Sequence, residues 1–204
     1  LDSQNRLIGE DTEYFPIYES KFFHQYDHRF ATHDIEDGND PKQVTIDEKD
    51  QASFSILPRY WLKKEEYEEK FRSPWHIALR DVTNATNERT AICSLLPDVP
   101  TVHTMNHILG LDAEEAALMM ACMNSYTLDY VARQKVGSTH LSQFIIKQLP
   151  IPDPGEFEEI LLDGEPVSNR VVELSTKLSC NATDLEGFMA EVGIFSPYEF
   201  SSPD

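Results

Sequence analysis

The feature that most constrains the fold is a helical spacing of apolar side chains across residues 112–136. The side chains that recur at this spacing are Ala116, Met119, Met120, Met123, Tyr126, Tyr130 and Val131. This spacing puts them on one face of an amphipathic helix, and that face has to be buried. Asp112 and Glu115 form a capping pair at the start, and Gly137 supplies the end. The pattern predicts one long central helix.

Shorter elements are expected before this helix. Aromatic residues between turn-prone segments favour strands or a hairpin at residues 14–32, whereas the polar and acidic residues 34–50 indicate an exposed loop. Residues 63–70 contain good helix formers with i,i+4 charge partners, which favours a short solvated helix. Residues 76–82 are typical of a strand, and a polar turn follows at residues 83–87.

The chain after the central helix is expected to add one short element and two helices. Residues 141–149 are apolar and ambiguous between strand and helix, and Pro150 and Pro152 close that element. Helices are predicted at residues 169–178 and 184–192. The whole pattern predicts an α+β fold, with mixed small sheets, one long central helix and a helical C-terminal extension.

The formal net charge of −19 is concentrated at the two ends of the chain. Residues 58–147 carry 10 basic against 11 acidic side chains, so this middle part is near neutral and able to approach a polyanion. From residue 151 onward, 12 acidic side chains face only two basic ones. This shift predicts one domain at residues 1–152 and an acidic extension at residues 153–204.

The sequence carries no catalytic or nucleotide-binding motif: G-x-S-x-G, a glycine-rich dinucleotide loop and a P-loop are all missing. Cys93, Cys122 and Cys180 are far apart and outside any C-x-x-C pair, which argues against disulfides or zinc and favours a reducing cytoplasm. Two histidine pairs have i,i+4 spacing, residues 24 and 28 and residues 103 and 107, but lie in segments that look extended or loop-like. We therefore expect no metal site, no cofactor and no enzyme activity in this chain.

The chain begins at Leu1 without a charged and apolar leader, and we expect it to be a fragment of a longer protein. Its apolar runs fall well short of the roughly 20 residues that a membrane helix needs. The sequence predicts no membrane partner.

Residues 80–90 form a dense polar cluster between two apolar segments. Asparagine amides such as Asn84 and Asn87 can present a donor and an acceptor to an adenine edge, and arginine forks suit guanine or phosphate. The same residue types also make turns and buried networks that only hold a loop. From chemistry alone the two interpretations stay open. Residues 133–140 are a second basic and polar cluster, where cations also suit the end of a helix dipole.

Three stretches, taken together, resemble a known family. Residues 16–30 resemble the P-L-Y-E-G-K…H-x-[FY]-D-H-R segment of large adenine-specific DNA methyltransferases from restriction-modification and phage-defence systems. Residues 80–97 resemble their R-D-x-x-x-x-T-N-E-R-T element. Residues 124–152 are similar to the N-S…D-Y…R-Q-K-x-G…L-P-x-P part of their TaqI-like specificity domains. One departure is Ser20, where the family usually has glycine.

The resemblance implies that this chain is a DNA target-recognition domain that holds duplex DNA. An upstream domain of the same protein would bind S-adenosylmethionine and methylate N6 of a flipped-out adenine. The side chains expected near the phosphates are Lys21, His28 and Arg29. Those expected at or behind the surface that reads the bases are Arg80, Asn84, Asn87 and Arg89, and those expected on its flank are Arg133, Lys135 and His140. Because such motifs are shared by proteins that read different sites, Asp81, Glu88 and Asp129 are expected to support the scaffold instead.

Three alternatives remain open at this point. The chain could be a protein-interaction module of a phage-defence complex, whose acidic ends contact a basic partner. It could mimic the charge of DNA, although that would need acidic side chains arrayed on one face. An independent enzyme would need a pocket with perturbed titratable groups, which the motifs do not indicate.

Overall fold

A computed structural model describes residues 7–8, 12–34, 40–68 and 73–197. The strands are β1 (Leu7–Ile8), β2 (Glu13–Pro16), β3 (Ala31–Thr32), β4 (Lys42–Gln43), β5 (Trp61–Lys63), β6 (Trp75–Arg80), β7 (Cys93–Pro97), β8 (Met105–Ile108), β9 (Leu161–Leu162) and β10 (Glu165–Pro166). The helices are α1 (Ile46–Lys49), α2 (Lys64–Glu68), α3 (Ala113–Asn124), α4 (Tyr126–Lys135), α5 (Gln143–Ile146), α6 (Pro154–Glu159), α7 (Val167–Ser179) and α8 (Glu186–Glu191). Two 3₁₀ turns, Ser20–Phe22 and Thr183–Leu185, complete the described elements. The α+β class is confirmed.

A three-stranded antiparallel sheet of order β7-β6-β8 organises the fold. Successive side chains of a strand point to opposite faces, and both faces of β6 are buried here. Ile77 and Leu79 join the core cluster that contains the helices, whereas Ala78 joins a second cluster with Tyr18 and Phe22. The predicted strand at residues 76–82 is therefore present, displaced by one or two residues.

The predicted long central helix is observed as two helices, because the helical backbone is interrupted at Ser125. Asp112 and Glu115 form the expected capping box at the start of α3. Ser125 is extended (φ −68°, ψ 149°), and its hydroxyl accepts a hydrogen bond from the Leu128 N–H at 3.1 Å. A serine N-cap satisfies an otherwise unpaired N–H at the start of α4 and so stabilises the break.

The first part of the chain contains strands at residues 14–32, as expected, and more local structure than expected at residues 40–50; residues 35–39 of the predicted loop lie outside the described residues. β2 pairs with β1 and β5, β3 pairs with β4, and His24 and Asp27 form an isolated antiparallel bridge. Residues 40–50 are not a plain loop, since they contain β4 and α1. Thr45 and Glu48 form a capping box at α1, a local signal that the polar composition had hidden.

The later elements mostly follow the predictions. The solvated helix at residues 63–70 is α2, which lies at Lys64–Glu68, and residues 69–72 fall outside the described part of the chain. Residues 141–149 contain the short helix α5, and the helix predicted at residues 169–178 is α7. The last predicted helix consists of the second 3₁₀ turn and α8. Of the helices described, none has the length and apolar character to cross a membrane.

The acidic C-terminal part packs into the main hydrophobic core and is not an appendage. Leu185 and Phe188 belong to the same buried cluster as Ile77, and the Phe188 ring meets Trp75 edge-on at 5.1 Å between centroids. α7 packs along α3. A boundary at residue 152 therefore does not separate two cores, because burying α3 and β6 requires side chains from both sides of it.

Candidate functional site

The polar turn between β6 and β7 is rigidly built from its own side chains. The Asn84 Oδ1 atom accepts hydrogen bonds from the Thr86 N–H (3.0 Å) and the Thr86 hydroxyl (3.1 Å). The Asn87 N–H donates to the Asn84 carbonyl at 3.1 Å. At the base of the turn, the Thr83 hydroxyl donates to the Thr90 carbonyl at 2.7 Å. These bonds leave the side chains of Asn84, Thr86 and Asn87 exposed.

Asp129 of α4 fastens this turn to the helix. Its buried Oδ1 atom accepts hydrogen bonds from the N–H groups of Thr90 (2.7 Å) and Ala91 (2.8 Å). Its Oδ2 atom accepts a hydrogen bond from the Arg133 guanidinium at 3.0 Å. A buried carboxylate needs such partners, since an unpaired one is strongly destabilising. The expectation that Asp129 supports the scaffold agrees with these contacts.

Arg133 clamps the turn from the side and is committed to protein contacts. Its guanidinium donates to the Ala85 carbonyl (3.1 Å) and the Glu88 carbonyl (2.9 Å), in addition to Asp129. The rigid fork of an arginine suits such multiple contacts. Although sequence reasoning predicted Arg133 at the DNA interface, these bonds use it to hold the turn in shape.

Arg89 lies behind the surface rather than on it. The residue is buried, donates to the Asn124 carbonyl and lies 3.8 Å from the Asp129 carboxylate. Its guanidinium carbon is 4.4 Å from the centre of the Tyr126 ring. Asn124 in turn bonds both backbone groups of Cys93, at 3.0 and 2.9 Å. Arg89 was expected at or behind the surface that reads the bases, and its buried position leaves it no direct contact with a ligand at that surface.

Arg80 joins the central sheet to the first part of the chain. It donates to the Phe23 carbonyl, and its guanidinium lies 5.5 Å from the Phe23 ring centre. Burial lowers the pKa of Arg80 to about 10, which leaves it charged at neutral pH. Arg80 is half-buried.

His28 and Arg29 lie in the interior, so their predicted contact with phosphates is corrected. His28 is paired with Asp184 at 2.9 Å, and Arg29 is fully buried. The groups that accept hydrogen bonds from Arg29 are the carbonyls of Lys49, Gln51, Phe54 and Asn181 and the Asn181 side chain, all at 2.9–3.1 Å. Desolvation lowers the pKa of Arg29. This cation ties the first part of the chain to the segment after α7.

The remaining predicted residues lie at the surface. Lys21 is exposed and paired with Asp40 at 2.8 Å, away from the polar turn. Lys135 is exposed near the end of α4 and contacts Gln148 at 3.5 Å. His140 is exposed and bonds Asp81 at 2.8 Å. Residues 82 and 140 also form a backbone bridge, which puts His140 beside the turn.

Two exposed tyrosines of α4 complete the surface, and sequence reasoning had assigned both to the core. Tyr126 is 84% exposed and Tyr130 is 65% exposed. The break at Ser125 turns α4 relative to α3, so the apolar spacing does not run on across it. The signal for the break was Asn124 followed by Ser125, a weak helix former and then a favoured N-cap. We call the exposed side chains of residues 84–88 and of Tyr126 and Tyr130 the turn–helix surface.

The histidine pairs do not come together as metal ligands. The His24 ring packs on Phe30, while His28 is bound to Asp184. His107 bonds the Thr101 hydroxyl at 2.8 Å, and His103 is exposed. Within the described ranges, no group of three or more histidine, cysteine or acidic side chains is arranged to hold a metal ion.

The cysteines are also unpaired and shielded. Cys93, Cys122 and Cys180 are free thiols. Burial raises the pKa of all three, that of Cys180 to about 12. A buried thiol that stays protonated is a poor nucleophile, so Cys93 and Cys180 act as small core side chains, whereas Cys122 is half-buried.

Comparison with protein-family models, with curated proteins and with solved structures found no match for this chain. The family resemblance therefore depends on the three motif stretches themselves.

Proposed function

We propose that this chain is the DNA sequence-recognition domain of an adenine-N6 DNA methyltransferase that belongs to a restriction-modification or phage-defence system. It would hold duplex DNA for a catalytic domain elsewhere in the same protein. That domain would bind S-adenosylmethionine, extrude the adenine and transfer the methyl group. The three unpaired thiols fit a reducing cytoplasm, where such enzymes meet DNA.

The observation that carries the proposal is that some side chains of the polar turn and α4 face inward and hold the turn, while others are exposed. Residues that match the family motifs, Arg89, Asp129 and Arg133, face inward and hold the turn. The amide side chains of Asn84 and Asn87 face outward from the same turn. The inward-facing side chains hold the turn, while exposed amides can read base edges; Asn87 belongs to the motif stretch at residues 80–90 and is nevertheless exposed.

The charge distribution is compatible with DNA at this surface. Lys135 at the end of α4 and Lys147 after α5 are exposed cations, and His140 lies beside the turn. Each phosphate contact contributes about −0.9 to the slope of log K against log salt, so two or three contacts predict a slope of about −2 to −3. Such a shallow slope means that base contacts, rather than charge, would have to supply much of the affinity.

The test is sequence selection by the full-length protein that carries this chain. A randomised duplex pool is incubated with the protein and S-adenosylmethionine at low salt, and methylated duplexes are sequenced. We expect one short recognition sequence. Changing Asn87 to Ala should relax the preference at one base pair, with a cost of about 1–3 kcal/mol in discrimination. Lys135→Ala should weaken binding to all sequences alike and reduce the slope of log K against log salt by about one.

Matched controls are available far from this surface. Asn169→Ala removes an exposed amide from α7, and Lys63→Ala removes an exposed cation from β5. Neither should alter site preference or salt slope. The proposal fails if no duplex is selected, or if Asn87→Ala and Asn169→Ala behave alike in a folded protein.

A second candidate function is a protein-interaction module, and the C-terminal part of the chain favours it. Ile160, Leu161 and Leu162 are exposed next to acidic side chains. A cavity of about 280 Å³ between α3 and α7 is bordered by Glu114, Glu158 and Glu173. A basic partner with apolar anchors would suit this part. Under this alternative, the full-length protein binds no DNA but binds a partner with affinity that falls as salt rises.

A further inference from the structure

Tyr126 and Tyr130 form an exposed aromatic ridge beside the polar turn. They are one helical turn apart on α4 and so lie on the same face of the helix. Arg133, which follows on that face, bonds the turn at two carbonyls and fixes the distance between turn and ridge. Tyrosine is enriched at interfaces, because its ring is apolar and its hydroxyl stays in contact with water.

Tyr126 is distinguished by the cation packed against it. The Arg89 guanidinium carbon lies 4.4 Å from the ring centre, whereas Tyr126 itself is 84% exposed. One face of the ring is therefore covered by the cation, and the other is open to solvent. Arg89 cannot easily move away, because it is held by the Asn124 carbonyl and lies 3.8 Å from the Asp129 carboxylate.

This arrangement suits a flat, electron-rich ligand. A guanidinium beneath a phenol ring attracts the π electrons toward itself, which favours an electron-rich ring on the opposite face. Purine bases are such rings, and stacking of a base on an aromatic side chain is tolerant of sequence. On the adjoining turn, the exposed Asn87 amide can offer a donor and an acceptor to a base edge, and Asn84 can offer the donors of its amide nitrogen, because its oxygen is bound to Thr86.

The ligand has to be an unpaired base. In a duplex both faces of each base are covered by its neighbours, so a side chain can stack only on a base that has left the stack. Extrusion of an adenine leaves its partner thymine unpaired, which creates such a base close to the site of methylation.

We propose that Tyr126 is a stacking platform for an unpaired base of the bound DNA. Arg89 is a positioning residue that fixes the ring and polarises it. Tyr130 extends the platform by one helical turn. This inference rests on the proposed function, because it names the part of the DNA that the same surface holds.

The experiment uses 2-aminopurine, a fluorescent purine whose emission falls when it stacks. Two duplexes are compared with the full-length protein: one carries 2-aminopurine in a single-nucleotide bulge, the other carries it paired with thymine. We expect tighter binding and stronger quenching for the bulge. Tyr126→Ala should weaken binding of the bulged duplex about tenfold and remove the added quenching. Tyr126→Phe keeps the ring and should retain both.

Tyr60→Ala is the matched control, since Tyr60 is another exposed tyrosine with an arginine beside its ring. It should leave both duplexes unaffected. Circular dichroism checks that each variant is folded. Equal binding and quenching by wild type and a folded Tyr126→Ala protein would overturn the inference, while site selection by the same variant would keep the proposed function intact. If the wild-type protein binds neither duplex, both the inference and the proposed function are contradicted.

Contact with a protein is the remaining outcome that would contradict the inference. In that case Tyr126→Ala would abolish concentration-dependent self-association, measured by sedimentation, without any change in DNA binding. The ridge would then be an interface between copies of this chain.

Discussion

Asp129 should be the most sensitive acidic side chain of the candidate site. Asp129→Ala removes the acceptor for two buried N–H groups, those of Thr90 and Ala91, and one counter-charge for Arg133. Each unsatisfied buried group costs about 1–3 kcal/mol, so we expect a loss of roughly 3–5 kcal/mol in the free energy of unfolding. This is a large share of the roughly 5–15 kcal/mol that stabilises a typical domain.

Asp129→Asn separates hydrogen bonding from charge. The amide oxygen can still accept from both N–H groups, but the amide nitrogen then faces the Arg133 guanidinium, donor against donor. We expect about half of the loss caused by Ala. Urea unfolding followed by the fluorescence of the buried Trp75 measures both values.

Asp47→Ala, at an exposed position of α1, is the control and should leave the unfolding midpoint unchanged. A loss of less than about 1 kcal/mol for Asp129→Ala would refute the reasoning, since it would mean that the turn does not depend on this carboxylate. Equal losses for Ala and Asn would refute the part assigned to the two N–H groups.

Three further predictions concern the fold. Arg29→Ala should destabilise by about 3–5 kcal/mol, because several buried carbonyls lose their donor, and proteolysis should then release the segment after α7 first. Burial lowers the pKa of His76 in the folded state from its ordinary value of 6.5 to about 3. Between these two pH values the unfolded state binds a proton at His76, whereas the folded state does not. Stability should therefore fall as pH drops from about 6.5 toward 3, and His76→Phe should reduce that slope by up to about 1.4 kcal/mol per pH unit in urea titrations at several pH values. Gly187→Ala should lower the melting temperature, because the added Cβ would lie 2.6 Å from the Pro74 side chain, whereas Gly137→Ala meets no atom within 4 Å and should not.

The elements that sequence reasoning predicted well are those with strong local signals. α7 shows helical spacing, and α3 begins at a capping box that is visible in the sequence. β6 combines an apolar run with a polar turn after it. Periodicity and capping act over a few residues, so they can be read without knowledge of the rest of the chain.

The break at Ser125 shows how a local signal can be overlooked. Tyr126 and Tyr130 continue the apolar spacing by residue type, so they extend the predicted helix although they lie outside the core. Tyrosine is amphipathic and is found both in cores and on binding surfaces. Weighing Asn124 and Ser125 as a helix end and an N-cap would have located the break.

The interior position of Arg29 could not be predicted from neighbouring residues. Its partners include Asn181, which is 152 positions away in sequence, and nothing local marks such a contact. Charged side chains are rarely buried, so an arginine in a motif is expected at the surface. The same reason explains why Arg89 was assigned to the DNA interface.

Sequence reasoning located the candidate site better than it assigned the roles of its side chains. The turn at residues 83–87 and the basic end of α4 do lie together, as the motif stretches implied. In the structure, Arg89 and Arg133 hold the turn, Asn84 and Asn87 are exposed, and Tyr126 and Tyr130 are exposed although they were assigned to the core. Long-range hydrogen bonds decide this, and they depend on how α4 docks on the sheet.

The central claim is that exposed amides of the polar turn read the base sequence of bound DNA. The most direct measurement is the base preference of methylation by the full-length protein carrying Asn87→Ala, beside the Asn169→Ala control. We predict that Asn87→Ala accepts additional bases at one position of the site, while the control keeps the wild-type site. An unchanged site for a folded Asn87→Ala protein, or no preferred site for wild type, would contradict the claim.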